Sequence, residues 1–441
     1  MKKKALVILL SVLSIFNLMA NGQQEDSNSL ELEFAIASTE EGIINNLQSI
    51  VDELIGEFNE KNGTNHTVWV NGNQKKELLN TRMSSLDKPD IMELDGPADV
   101  YQYAIDGLLL DITDMIDKAH WEKEMFSWAY DLSKVNNKIV TLPFGYEGMV
   151  LWYNKDIMKE LGINPDDLTD LASFENALEK AKQANYIPIM LGSQDWPWAQ
   201  EWYSSILFSY SDRELLKNVI KNKDGANWNN PKFQETIALY KSWHEKMYLS
   251  AGQSFNLTSD DAINAFTNDK ALFKLEGTWG SYWIIPLDEE SQNKIGVMLH
   301  PPINNREAAH FPLAVGCMLC GSADSAAPEA IAYILDGLMR EKYQKSFLDL
   351  GADIAPIELE PATFDHPVPA IKDMWGIVNQ ALASGDYGYA TWAFYPPQVR
   401  LFMYESIVSV LENQMSIEDY LSRMDKIQED DVANGFIPVI P

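Results

Sequence analysis

Residues 140–156 read VTLPFGYEGMVLWYNKD, and the organisation of the chain turns on this stretch. It begins apolar, breaks at Pro143 and Gly145, and resumes as the apolar run 149–153. A Pro and a Gly between two short apolar runs predict strand, turn, strand. Tyr146 and Glu147 stand at the break, flanked by Gly145 and Gly148, where glycine lets a backbone bend or approach a ligand closely. From Asn154 onward the spacing of Ile157, Met158 and Leu161 is helical, with Gly162 as the stop. Taken alone, this is a hairpin of an α/β domain.

Upstream, short strands and helices alternate. Residues 32–37 read as a strand and 38–41, Ser-Thr-Glu-Glu, as a capping box. The following helix repeats apolar residues from Ile43 to Phe58 and ends at Gly63. Residues 67–70 read as a second strand, 74–86 as a helix and 91–94 as a third strand, with Pro97 opening the next helix. This alternation predicts a largely parallel sheet with helices on its faces. Ligands of such sheets bind outside the carboxyl ends of the strands. There the loops 38–41, 71–73 and 95–96 offer Glu40 and Asp95. The acids of GLLLDITDMID, residues 107–117, read as a solvated face, because no EF-hand pattern is present.

The charge balance excludes several partners. The 441 residues carry a formal net charge of -31 and are 46% hydrophobic. A nucleic-acid backbone needs a basic face, and so does an anionic membrane surface. Lys2, Lys3 and Lys4 precede the apolar run 5–16, which is short for a span, and Ala20 offers a cleavage site. Residues 1–20 are therefore expected to be a secretory signal peptide. No Cys lies near that site, so no lipid anchor is expected. Cys317 lies on the expected strand 311–319 and Cys320 directly follows it; three apart along a strand, they face opposite ways, with Cα atoms roughly 10 Å apart. They are expected to be buried and unpaired, neither a disulfide nor a zinc site.

Aromatic residues concentrate in a few loops. GSQDWPWAQEWYSSIL, residues 192–207, holds three Trp within seven residues around Pro197. Trp196 and Trp198 are the better ligand candidates there. GYATWAFYPP, residues 388–397, adds Trp392 or Tyr395. DDAINAFTNDKALFKLEGTWGSYW, residues 260–283, reads as a helix, a returning strand at 272–275 and a turn at Gly277. Residues 295–299 read as a further strand, and 328–350 as one helix ending at Gly351.

Residues 142–163, 192–207, 260–283 and 344–357 (QKSFLDLGADIAPI) resemble the family 1 extracellular solute-binding proteins, the sugar-capturing subunits of ABC importers. The resemblance runs from about residue 32 to the last helix. It implies a two-lobed type II periplasmic-binding-protein fold, maltose-binding-protein-like, with each lobe a mostly parallel sheet flanked by helices. It implies lobe 1 at 31–144 and 277–325 and lobe 2 at 145–276 and 326–441. The connections are expected at 143–148, 274–277 and near 321–328. It makes residues 140–163 the lobe-crossing segment and Trp279 the ligand platform. The family usually has a Gly before the residue matching Lys270, where this chain has Asn268-Asp269, which still suits a turn.

The expected site gathers Glu40, Asp95, Tyr146, Glu147, Trp196, Trp198, Trp279 and Trp392 in a cleft between the lobes. Flat rings stack on sugar C–H faces, and carboxylates accept hydroxyl hydrogens. The expected partners are a mono- or oligosaccharide and the permease subunits of an ABC importer, with the protein itself an extracytoplasmic monomer. Two other readings stay open. An acidic cleft suits a cationic solute such as a polyamine or peptide. Paired carboxylates such as Glu147 and Glu276 suit a secreted glycoside-active enzyme. No nucleophile, metal or dinucleotide motif is present, so neither catalytic residues, a metal nor a cofactor are expected.

Overall fold

The computed structural model describes residues 28–194, 213–223, 225–303, 311–385, 387–435 and 440. Trp196 and Trp198 lie outside the described residues, as do residues 1–20, the expected leader. The chain opens with β1 (Glu31–Ala35), β2 (Thr67–Asn71) and β3 (Ile91–Leu94), and a small hairpin of β4 (Lys134–Val135) and β5 (Lys138–Ile139) follows. Next come β6 (Leu142–Asn154), β7 (Ile187–Met190), β8 (Ala271–Gly277), β9 (Ile295–Met298), β10 (Phe311–Gly321) and β11 (Tyr387–Tyr389). The main sheet runs β2-β1-β3-β10-β6-β8-β7, with β9 also on β6 and β11 also on β10. β1 is parallel to β2 and β3, whereas β6 and β10 run antiparallel to each other and join two differently composed halves.

Residues 140–156 do not form a hairpin. β6 is one strand of 13 residues. Its first half pairs with β10 up to Gly148, and its second half pairs with β8 from Met149 and with β9 from Leu151. Pro143 is accommodated because the ladder shifts register on either side of Cys317, leaving Phe144 and Gly316 without direct partners. Such bulges are where a strand tolerates a residue without an N–H. Alternation then sorts the side chains. Tyr146, Val150 and Trp152 enter one hydrophobic core with Phe34, Leu54, Phe347 and Trp375. Met149 and Leu151 enter the other with Met92, Phe273, Tyr395 and Trp392.

The helix Glu41–Asn62 ends at Gly63 in the left-handed conformation, φ 69°, as its sequence predicts. Its start differs from the expected capping box. Glu40 is the N-cap without a side-chain bond, and Ser38 Oγ accepts from the Glu40 N–H instead. The expected helix 328–350 is two helices, Pro328–Leu338 and Glu341–Asp349. Arg340 between them is extended, and its guanidinium forks onto Glu57 at 2.9 and 2.7 Å. A tertiary contact thus overrides local helix propensity.

The same contact moves the boundaries expected at 277 and 325. Both helices pack on Glu41–Asn62, with Gly337 against Leu54, so this part of 326–441 lies with the first strands. β9 pairs with the second half of β6 on the edge opposite β8, so residues 295–298 lie with that half. The segment 274–277 is strand interior paired along β6 rather than a connection. The passage back between the halves is β10 itself, whose far end, Met318 to Gly321, pairs with β3.

Candidate functional site

Glu147 occupies the point on β6 where the pairing partner changes from β10 to β8. As an odd-numbered neighbour of Met149 it stands on the face opposite Tyr146. Its carboxylate reaches over β10 because Gly316, at the register shift, has no side chain. A Cβ there would fall 2.1 Å from Glu147 Oε1. Oε1 accepts the indole N–H of Trp392 at 2.6 Å. Trp392 lies in the helical turn Thr391–Phe394 that follows β11, and its carbonyl accepts from Arg400. The turn abuts Gly96, where an added Cβ would meet Ala393 Cα at 3.1 Å. This brings Trp392 beside the Asp95 loop.

Trp392 meets Trp279 edge to face, with centroids 5.7 Å apart and planes at 82°. Trp279 follows β8 in the turn Thr278–Gly280. Its ring lies against Gly277, where a Cβ would come within 2.1 Å of it. The indole N–H donates to Glu276 Oε1 at 2.7 Å. Glu276 Oε2 is held by Lys274 Nζ at 2.6 Å, and that ammonium also donates to the Leu275 carbonyl at 3.1 Å. Lys274 and Glu276 are 2% and 4% exposed, so the ion pair is withdrawn from water. Two indoles at a right angle, each anchored through its N–H to a carboxylate, form an aromatic corner.

Acids crowd the Glu147 side of the corner. Burial pushes the Glu147 carboxyl well above its usual range, Asp353 adds to the shift, and the Trp392 bond opposes it before Asp95 and Glu93 add again. Burial likewise raises Asp353. Glu93, which accepts the Ala37 N–H at 3.0 Å, is pushed up to about 7, mainly by burial, with Asp95 and Asp353 contributing. Asp353 stands against Gly145, where a Cβ would lie 2.9 Å from both Asp353 Cβ and Cys317 Cβ. Among the described residues, no group of three or more His, Cys, Asp or Glu could hold a metal ion. Cys317 and Cys320 are free. Cys320 is buried, whereas Cys317 is only partly so, a departure from the expectation that both are buried. The bulge at Gly316 opens the strand beside Cys317. Burial, then Glu93, Asp353 and Glu147, raise the Cys317 thiol.

Of the expected site residues, the structure brings together Asp95, Glu147, Trp279 and Trp392. Tyr146 is 1% exposed and packs edge-on against Phe126 and Trp375 in the core, on the other side of the sheet. Strand alternation gives Tyr146 and Glu147 opposite faces, so one turn cannot present them together. Glu40 is exposed ahead of its helix. Glu93, Asp353 and Lys274 escaped the sequence reading as site residues, and Glu276 entered it only as one of a possible pair of catalytic carboxylates. An acid inside the apolar strand IMEL and a Lys-x-Glu inside the apolar strand ALFKLEG were the available signals, since a buried charge requires a partner.

Residues 53–358 match the family model described as bacterial extracellular solute-binding protein. A probable sugar-binding periplasmic protein of Mesorhizobium japonicum is 26% identical over 185 residues, 41% of this chain and 42% of that protein. The maltodextrin-binding protein MdxE of Bacillus subtilis is 28% identical over 209 residues, 44% of this chain and 46% of that protein. These matches span less than half the length of either relative. A solved structure described as a chitin oligosaccharide binding protein aligns with a TM-score of 0.77 at 20% identity, over 92% of this chain and 100% of that one. The likeness shows the fold, the two-lobed type II periplasmic-binding-protein architecture.

Proposed function

Because the chain belongs to the bacterial extracellular solute-binding proteins, a family of binding proteins rather than enzymes, we propose that it captures a mono- or oligosaccharide in the cleft between its lobes and delivers it to the permease of an ABC importer. The observation that carries this reading is the right-angled pair Trp279 and Trp392 beside Glu147. A pyranose ring has C–H faces that suit an indole and edge hydroxyls that suit carboxylates. Glu147, Asp95 and Glu93 supply such acceptors within one group. Glu40 is a further contact in this reading, and Trp196 and Trp198, which lie outside the described residues, are added on their sequence alone. The sugar-binding and maltodextrin-binding names of the two relatives support the same ligand class.

In this reading β6 and β10 are the crossing strands. Their register shifts at Pro143, Phe144 and Gly316 are where backbone rotation is absorbed as the lobes close. Sugar favours the closed form only by its extra affinity for that form. The closed pair of lobes is the surface offered to the permease, and a separate ATPase supplies the energy. The protein acts as a monomer outside the inner membrane, after cleavage near Ala20. Glu147 and Glu276 each hold an indole N–H, so neither is assigned to hydrolysis.

Titration calorimetry tests the proposal. The panel is maltotriose, chitotriose, xylotriose, galactose and, as the cationic alternative, spermidine. Saturable binding of a sugar with none of spermidine is expected, and the reverse result overturns the carbohydrate reading. Solution scattering with the bound sugar tests closure, for which the radius of gyration falls at saturation. N-terminal sequencing and intact mass of the native protein test export, and an uncut Met1 contradicts it.

A further inference from the structure

We propose that Lys274 and Glu276 are positioning residues for carbohydrate capture: this buried ion pair fixes the Trp279 ring without touching the sugar. The inference rests on the reading of Trp279 as a ligand platform. It starts from the periodicity of β8. Residues two apart on a strand share a face, so Lys274 and Glu276 stand side by side, opposite Trp152 and Val150 of β6. That face belongs to the core, and both groups are almost fully withdrawn from water. Removing two charges from solvent costs more than their attraction returns unless further hydrogen bonds complete them, and apolar replacements are often at least as stable. Stability alone therefore gives little reason for the pair.

The hydrogen bonds show what the pair does hold. Glu276 has two oxygens. Lys274 takes one at 2.6 Å, which stops the carboxylate from turning, and the other then points at the indole N–H of Trp279 at 2.7 Å. An indole ring turns broadly about its outer torsion. A single N–H bond selects the orientation that puts its edge toward Glu276. Gly277 removes the Cβ that would block the ring, and Trp152 donates to the Gly277 carbonyl at 3.2 Å, which holds the turn. With its edge tethered and one side against Gly277, Trp279 meets Trp392 at a right angle. Every link from Lys274 to Trp279 lies within six residues, so the ring keeps its orientation while the lobes move. Pre-ordering an aromatic platform removes an ordering cost from binding.

The test uses the full mature chain, with 15N-labelled Trp, in two double variants. Lys274→Met/Glu276→Gln keeps a neutral acceptor for the indole. Lys274→Met/Glu276→Leu removes it. The first readout needs no ligand: exchange of the Trp279 indole N–H, assigned by its loss in Trp279→Phe. Exchange stays slow in the Met/Gln variant and becomes fast in the Met/Leu variant. The second readout is affinity for whichever trisaccharide of the panel the wild type binds. It stays within about threefold in Met/Gln and falls by about tenfold or more in Met/Leu. A protected Trp279 N–H in folded Met/Leu protein overturns the positioning role. A loss of about tenfold in Met/Gln with the N–H still protected also overturns it, because the charges would then act on the ligand directly. If Met/Leu does not fold, the Met/Gln result alone decides. A freed Trp279 with unchanged affinity leaves the tether standing and overturns the platform reading on which it rests.

Discussion

Glu276 and Glu147 make the same bond in opposite circumstances. Each accepts an indole N–H, at 2.7 Å from Trp279 and at 2.6 Å from Trp392. The first bond closes over three residues of one strand and turn. The second joins residues 245 apart in the chain. Glu276 is compensated by Lys274, and the pair is sealed in the core. Burial pushes the Glu147 carboxyl upward, and Asp353, Asp95 and Glu93 around it add to the shift. One anchor is therefore a local, charge-balanced tether. The other is a tertiary contact whose strength depends on protonation and on everything that brings β6, β10 and the Thr391–Phe394 turn together.

The contrast is broken most severely by removing the cation from the balanced side. Lys274→Met leaves the Glu276 carboxylate buried without its counter-charge, and a loss of about 3–5 kcal/mol in urea unfolding is expected. A loss below about 1 kcal/mol would mean that the pair is no tighter than a surface salt bridge.

The next largest effect is on binding. Trp279→Ala weakens sugar binding by about 1–3 kcal/mol while the fold survives, because a stacked ring is lost at a desolvated site. Trp392→Ala is expected to act in the same direction. Unchanged affinity in folded Trp279→Ala protein, measured by calorimetry, removes Trp279 from the platform.

Proton linkage sharpens the unbalanced side. Glu93 is raised from an ordinary 4.5 to about 7, and Glu147 and Asp353 shift in the same direction. A raised carboxyl binds its proton more tightly in the folded state. The stability it contributes is therefore fully present below pH 4.5 and is lost as pH rises through about 7. Chemical denaturation across that window is expected to show falling stability from these groups, and Glu93→Gln together with Asp353→Asn is expected to flatten the slope. An unchanged slope in that double variant would falsify the assignment of the titration to this cluster.

The smallest effect concerns Cys317 and Cys320, which are free. Without reductant, two thiols are expected to react in denaturant. In the native protein reaction is slow, since burial raises both thiols and Cys320 is pushed to about 12. A chain two hydrogens lighter, with no reactive thiol, would place a disulfide where the structure shows none.

How much of this was legible beforehand depended on range. The stop at Gly63 and the strand expected at 311–319, observed as Phe311–Gly321, follow from local chemistry, and so the sequence pattern found them. The break at Arg340 depended on Glu57, nearly three hundred residues earlier, and no window of sequence contains both. Pro143 and Gly145 carried a true signal of irregularity that was misassigned. The irregularity is a pair of register shifts in a continuous strand rather than a turn, because β10 lies alongside to accept the bulge.

By itself, the sequence determined that alternating strands and helices build an α/β sheet, that Trp279 follows a returning strand, and that an acid stands at Glu147. These are properties of spacing and residue type within a few positions. Only the tertiary structure decided that Tyr146 belongs to the core and Glu147 to the cleft, since strand alternation takes effect once a core defines an inside. It also decided that Trp392 closes the corner, that Glu93 and Asp353 join the acids, and that Lys274 is sealed against Glu276. Each of these is a meeting of side chains that the sheet carries into contact, and the free energy of such a contact exists only when both partners are in place.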